Sequence, residues 1–359
     1  MVATHILETE RSDGSPTVVG QLFDGRASAL FAVLAGVGLA LSTGGPRRPS
    51  SERERLAAGA GIAVRAVLIA LIGLLLADLE PLPLVILAYY GLLFLVAIPL
   101  LRLPAGVLGA LAVVWCGVSP VLSQLLRDEV RYPTQVGLAD LADPLQLVWT
   151  LAVTGVYPVL TWTTYLLAGL AVGRSDLRSP RVAAALLVGG AALSAAASGA
   201  SALLLGPGGG AAVLGRSADG EFYGTVPTGT WWWLALDAPH SGTPFDLART
   251  TGSALAVLGL MLLLARWAGP LLWIPAAVGS APLTLYALHV ILTTAGVGPD
   301  ATRPYVFVGH VLLLTVAGVA LRAMNARGPL EALVGAVSRA ARDRVLGTAP
   351  AGSGPGPPT

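Results

Sequence analysis

Long apolar runs, separated by short polar connections, set the pattern of this chain. A bilayer crossing takes about 20 mostly apolar residues, and the pattern predicts nine such spans. The first runs from Gly25 to Thr43, followed by 56–77, 82–101, 103–125, 145–173, 181–205, 246–268, 271–296 and 304–324. Pro158 breaks the long run at 145–173, and Pro275 and Pro282 are expected to kink the one at 271–296, because proline removes a helical hydrogen bond and clashes with the preceding turn. After the last span, Leu330, Leu333, Val334 and Val337 recur at helical spacing with Arg339, Arg342 and Arg344 beyond them. That reads as an amphipathic helix on the membrane surface. The expected fold is therefore all-α, a polytopic membrane bundle over 1–328, with a surface helix at 329–346 and a Pro/Gly-rich disordered tail at 347–359.

Composition removes the soluble alternative. Of 359 residues, 55% are hydrophobic and only 12% charged, with a mean hydropathy of +0.74, whereas soluble domains carry about 25% charged residues. All 22 basic residues are Arg and the net charge is +2, too little for a nucleic-acid partner. Cys116 is the single cysteine, which excludes a disulfide framework and a cysteine-based metal site; no metal is expected.

Charge also sets an expected orientation. Arg47, Arg48, Arg53, Arg55, Arg102, Arg174, Arg178, Arg181 and Arg266 fall in alternate connections, and the acidic residues Asp78, Glu80, Asp128, Glu129, Asp140, Asp143, Asp219, Glu221, Asp237 and Asp300 fall in the others. Basic loops stay in the cytoplasm. The C-terminus is then cytoplasmic and the acidic side outside, in a multi-pass protein of the plasma membrane.

Ionisable groups inside spans are costly and mark candidate sites. His289 shares a helix face with Tyr286, three residues before it; it reads either as a packed, hydrogen-bonded residue or as a general base near neutrality. His310, after Pro304, reads as a helix-end residue or a site residue, and His240 as a solvated loop residue. Asp24 reads first as the N-cap of the first span, with Arg26 snorkelling to the interface, and second as the acid that orients a histidine. His5 gains interest because it falls on the same outer side as Asp24, His289 and His310. Arg65, about ten residues into the second span, either snorkels or contacts a phosphate. Trp231, Trp232 and Trp233 read as an interface anchor, and Gly169 with Gly173 as a small-residue helix contact.

Three blocks carry a resemblance: Leu22-Phe23-Asp24-Gly25-Arg26 with Ala29 to Gly36, Thr161 to Tyr165 with Gly169 to Arg174, and Pro282 to His289. In this order they resemble the YeiB-like bacterial membrane proteins and the related heparan-α-glucosaminide N-acetyltransferases. In that family the first helix opens with an Asp-x-x-Arg-Gly pattern and ends in Met followed by His or Asn. Met1 to His5 is similar to the ending alone, so Met1 is read as internal to a helix, with ten spans expected for an intact protein. The resemblance implies a membrane acyltransferase that moves an acetyl-like acyl group from cytoplasmic acyl-CoA to an extracytoplasmic glycan, lipid or small molecule. It implies His5, Asp24 and His289 as catalytic, Arg26, Arg65, Arg174, Tyr286 and His310 as substrate-binding, and Arg65 or Arg174 as holders of donor phosphates. A transporter or flippase for a small anionic or lipidic substrate, and a non-catalytic membrane protein, are the competing readings. The oligomeric state is open, with a homodimer among the candidates.

Overall fold

The computed structural model describes residues 1–11, 13–127, 135–215, 220–294 and 304–347. Within them the chain is helical. A short α1 (Val2–Ile6) and α2 (Val18–Phe23) precede α3 (Arg26–Ser42), α4 (Glu52–Ala77), α5 (Leu87–Leu100) and α6 (Ala105–Leu126). Next come α7 (Pro144–Trp149) with a π-helical turn (Thr150–Thr154), α8 (Val159–Gly173), α9 (Pro180–Leu205), a short α10 (Gly210–Leu214) and α11 (Pro244–Trp267). α12 (Trp273–Gly279), α13 (Pro282–Thr294), α14 (Pro304–Ala323) and α15 (Pro329–Leu346) complete the order.

Local chemistry sets the boundaries. Ser51 and Glu54 close a capping box at the start of α4, satisfying amides that a helix end leaves unpaired. Ser179 and Thr243 cap α9 and α11, each followed by proline at the first helical position, where a missing N–H costs nothing. The expected N-cap at Asp24 is corrected: Gly25 occupies that position for α3, and Asp24 ends α2.

The spans differ in number from the nine expected. Six helical stretches are long and apolar enough to cross a membrane, or up to eight if two bent pairs each count as one. The shortfall has a geometric reason. At 1.5 Å per residue the 14-residue α5 is only about 21 Å long, short of the roughly 30 Å hydrocarbon layer. The bent pairs are those the prolines announced. α7 with its π-helical turn meets α8 at 63°, beside Pro158, and α12 meets α13 at 78°, beside Pro282.

α3 and α8 pack backbone to backbone. A Cβ on Gly36 would lie 2.6 Å from the Leu166 carbonyl, and one on Gly169 would collide with that of Val33, so both positions demand glycine. α9 lies along α11, and α4 along α5 and α15. α15 turns Val334, Gly335 and Ser338 against the bundle, where they are buried. Of the tail expected to be disordered, 348–359 lie outside the described residues, as do Asp128, Glu129, Asp219 and Asp300 of the orientation argument.

Helix order gives the bundle two chemically distinct ends. At one, Arg48 donates to the Arg102 carbonyl, Arg53 to that of Val345 and Arg266 to that of Arg178. At the other, Asp78 accepts from the Leu138 amide, and Asp24, Asp237 and Asp246 gather near the start of α3 and α11.

Candidate functional site

Three helices distant in sequence bring three imidazoles together. His5 on α1 and His289 on α13 face each other with Nδ1 of the first 3.0 Å from Nε2 of the second. The rings lie 10° from coplanar with centroids 5.2 Å apart, the offset of an edge-on hydrogen bond. His310 on α14 stands at 82° to His289, with centroids 5.5 Å apart. Its Nδ1 lies 3.0 Å from the Val306 carbonyl. A carbonyl only accepts, so Nδ1 carries the proton and Nε2 is a bare acceptor, without a hydrogen-bond partner among the described residues. His289 is 2% exposed, and its Nδ1 also has no partner. Among the described residues the pair therefore has one ring nitrogen without a hydrogen bond on each side, His5 Nε2 and His289 Nδ1.

Those sides open into different spaces. His5 lines a cavity of 320 Å³ at the acidic end, with Asp24, Glu10, Glu221, Tyr157, Tyr223 and His240 around it. Tyr223 donates to the Glu221 carboxylate, which pushes the phenol up to about 12 and keeps it neutral. His289 lines a larger, mostly apolar cavity of 710 Å³, bordered by Arg26, Phe31, Leu34, Pro282 and Tyr286. A third cavity of 520 Å³ shares Phe31, Leu34, Gly279 and Pro282 with the second and adds Arg65, Tyr90 and Glu331. The histidine pair thus stands between a polar chamber and two adjoining apolar ones.

The other candidates separate by their partners. Asp24 does not reach His5 or His289; its carboxylate lies 3.4 Å from Nε2 of His240, which is thereby a partnered residue and not merely a solvated one. Arg26 borders the apolar cavity without a hydrogen bond among the described residues, in the field of Asp237, Asp246 and Asp24. Tyr286 accepts from the Ile86 amide at 3.3 Å while lining the same cavity. Both terminal nitrogens of Arg174 are engaged: Nη1 donates to the carbonyls of Ala40, Thr43 and Gly45, and Nη2 to Thr43 Oγ1 and the Leu101 carbonyl, while Nε has no partner among the described residues. It stitches the ends of α3 and α5 to α8. Arg65, by contrast, makes no hydrogen bond or ion pair among the described residues, and it faces the third cavity. Those residues contain no group of three or more His, Cys, Asp or Glu placed to hold a metal.

Two features were not singled out in the sequence. Arg249 lies 3.8 Å from Asp237 and 3.5 Å from Asp246 at the buried start of α11; the spacing of Asp246 and Arg249, three apart on one helix, was the available signal. Glu331, on the amphipathic C-terminal helix, reaches the first turn of α13. Nothing in its local sequence points there.

Residues 6–203 match the family model described as heparan-α-glucosaminide N-acetyltransferase, catalytic. The match takes in Asp24, Arg26, Arg65 and Arg174, while Tyr286, His289 and His310 lie beyond it. No curated protein and no solved structure matches the chain. A multi-pass helical membrane bundle with more than half its length on that model, this chain belongs to the heparan-α-glucosaminide N-acetyltransferase catalytic-domain family.

Proposed function

We propose that the protein transfers an acyl group across the membrane, from acyl-CoA on the Arg-rich side to a hydroxyl or amine acceptor on the acidic side. The observation that carries this reading is the His5–His289 pair, set between a polar chamber and two apolar ones. The positive-inside rule supports a cytoplasmic Arg-rich end, and with it a C-terminus inside; the plasma membrane is the proposed location.

The division of labour follows from the partners. Arg65, free of protein acceptors, suits the phosphates of the donor. The acyl thioester extends through the adjoining apolar space towards His289. The acceptor enters the polar chamber and meets His5, whose Nδ1 is committed to His289 and whose Nε2 is the nitrogen left for an incoming proton. As the acceptor oxygen or nitrogen attacks the thioester carbon, its proton passes to His5, the C–S bond breaks and coenzyme A leaves as the thiolate, which becomes the thiol by taking a proton back from the histidine pair. The Nδ1–Nε2 contact lets the charge gained at His5 spread to His289. Asp24 acts through His240 at the chamber wall. Transport, the rival reading, draws on the two broken spans.

The test is thiol release from acetyl-CoA by the purified, detergent-solubilised protein, supplied with an amino sugar or a glycan acceptor. His289→Ala is expected to lower turnover by at least about 100-fold, the lower range for loss of acid–base catalysis, while melting and detergent elution stay unchanged. Undiminished turnover in the variant removes the pair from the mechanism; no release by the folded wild type removes the acyltransfer reading itself.

A further inference from the structure

The first turn of α13 follows a sharp break, so its amides have lost the carbonyls that a continuous helix would offer. They are satisfied from far away in the chain. Oε1 of Glu331 accepts from the amides of Leu283 at 2.6 Å and Thr284 at 3.0 Å, and Oε2 accepts from the Thr284 hydroxyl. Thr284 Oγ1 in turn accepts from the Leu330 amide at 3.2 Å, in the first turn of α15. Two helix N-termini thus share one carboxylate and one hydroxyl, as a capping box does within a single helix. The carboxylate also faces the positive end of the α13 dipole.

The surroundings are built to fit. A Cβ on Gly328 would lie 2.5 Å from Thr284 Oγ1 and would collide with Glu331 Oε2. The same α15 packs along α4, the helix of Arg65, and Glu331 shares a cavity wall with Arg65. His289 is five residues beyond Thr284 on the helix that Glu331 holds.

We infer that Glu331 is a positioning residue: it clamps the broken start of α13 to the C-terminal helix and so sets His289 against His5. This rests on the proposed acyl transfer for its kinetic consequence, but the clamp itself is a matter of geometry. Three variants separate carboxylate, charge and space. Glu331→Ala removes both acceptors. Glu331→Gln keeps an oxygen for the two amides and loses the charge. Gly328→Ala leaves Glu331 intact and displaces its carboxylate.

The geometric readout needs no activity. Val2 of α1 and Leu288 of α13 belong to one apolar cluster, so in a Cys116→Ala background the pair Val2→Cys and Leu288→Cys reports the α1–α13 approach through the rate of bismaleimide cross-linking. Glu331→Ala and Gly328→Ala are expected to slow that rate several-fold, and Glu331→Gln to restore most of it. Acetyl-CoA turnover should follow the same order, with kcat falling about tenfold in the first two, a difference worth about 1.4 kcal/mol, and the acceptor KM unchanged. A uniform loss of folded protein, with kcat per folded molecule intact, would mark a structural role only and overturn the inference. So would cross-linking rates equal across all variants. If the rates shift as expected while the wild type releases no thiol, the clamp stands and the acyltransfer reading falls.

Discussion

Arg65 lies inside the apolar α4 and Arg174 directly at the end of the apolar α8, and their surroundings are opposite. At the junction of α3, α5 and α8, Arg174 is 5% exposed and its two terminal nitrogens donate to four carbonyls and a hydroxyl. In the chamber between α4, α13 and α15, Arg65 donates to nothing among the described residues, and the neighbour whose charge it feels most is a second arginine, Arg339. A cation in a low-dielectric setting persists only if something answers its charge. Carbonyl dipoles answer it at Arg174. At Arg65 the protein supplies no direct partner, and a bound anion would. The difference teaches that burial alone does not separate a structural arginine from a binding one; the count of acceptors already taken does.

Breaking the saturated side should have the larger effect on stability. Arg174→Ala strands the carbonyls of Thr43, Gly45 and Leu101, while that of Ala40 keeps the Gly45 amide. With each unsatisfied buried acceptor costing about 1–3 kcal/mol, a total loss of about 3 kcal/mol or more is expected. The measurement is the yield of monodisperse protein in detergent and its melting midpoint, and both should fall sharply. Arg174→Lys should recover only part of the loss, because an ammonium lacks the planar fork that reaches α3 and α5 at once. A variant that melts like wild type but binds donor poorly would reverse the assignment of the two arginines.

Arg65→Ala should do the opposite. No hydrogen bond among the described residues is lost, so the melting midpoint holds or rises slightly as a half-buried, unpaired charge disappears. The donor KM should rise about tenfold, equivalent to about 1.4 kcal/mol, and Arg65→Lys should retain a good part of the affinity as a point charge. Initial rates against acetyl-CoA concentration decide it: an unchanged KM together with a lower midpoint would make Arg65 structural.

These contrasts explain what the sequence disclosed and what it withheld. Hydropathy marked each long helix within a few residues, and Pro158 and Pro282 marked both broken spans, since these signals are local. Gly169 announced its close contact with α3 for the same reason. The span count is least determined at α5, where apolar residues continue from Leu82 but the chain between 78 and 86 is not helical. The site was legible as a set of residue types and not as pairings. His5 and His289 are 284 positions apart, and the contact depends on how α1 meets α13. Asp24 was read as the acid beside a histidine, but which histidine could not be named, because His240 comes back from a loop to meet it. Arg174 was read as a phosphate ligand because its acceptors are backbone carbonyls, which every residue has and no sequence displays. Glu331 was not singled out because the helix end it caps lies 47 positions away.

The smallest expected effect is the sharpest check on the chamber. Tyr90 is buried, lines the same cavity as Arg65, and its hydroxyl has no hydrogen-bond partner among the described residues. A buried hydroxyl without a partner carries an uncompensated desolvation cost. Tyr90→Phe should therefore leave the ligand-free protein as stable as before, or more stable by about 1 kcal/mol. If the chamber takes the donor, the lost hydroxyl should show only with the donor present. The stabilisation that coenzyme A confers on the melting midpoint should shrink, and the donor KM should rise about threefold, near 0.7 kcal/mol. A drop in the ligand-free midpoint would mean that Tyr90 already has a partner in the folded chain. An unchanged response to coenzyme A in both Tyr90→Phe and Arg65→Ala would mean that the donor binds elsewhere. A response lost in Arg65→Ala and weakened in Tyr90→Phe requires both groups to face one ligand, which is what separates this chamber from the closed junction around Arg174.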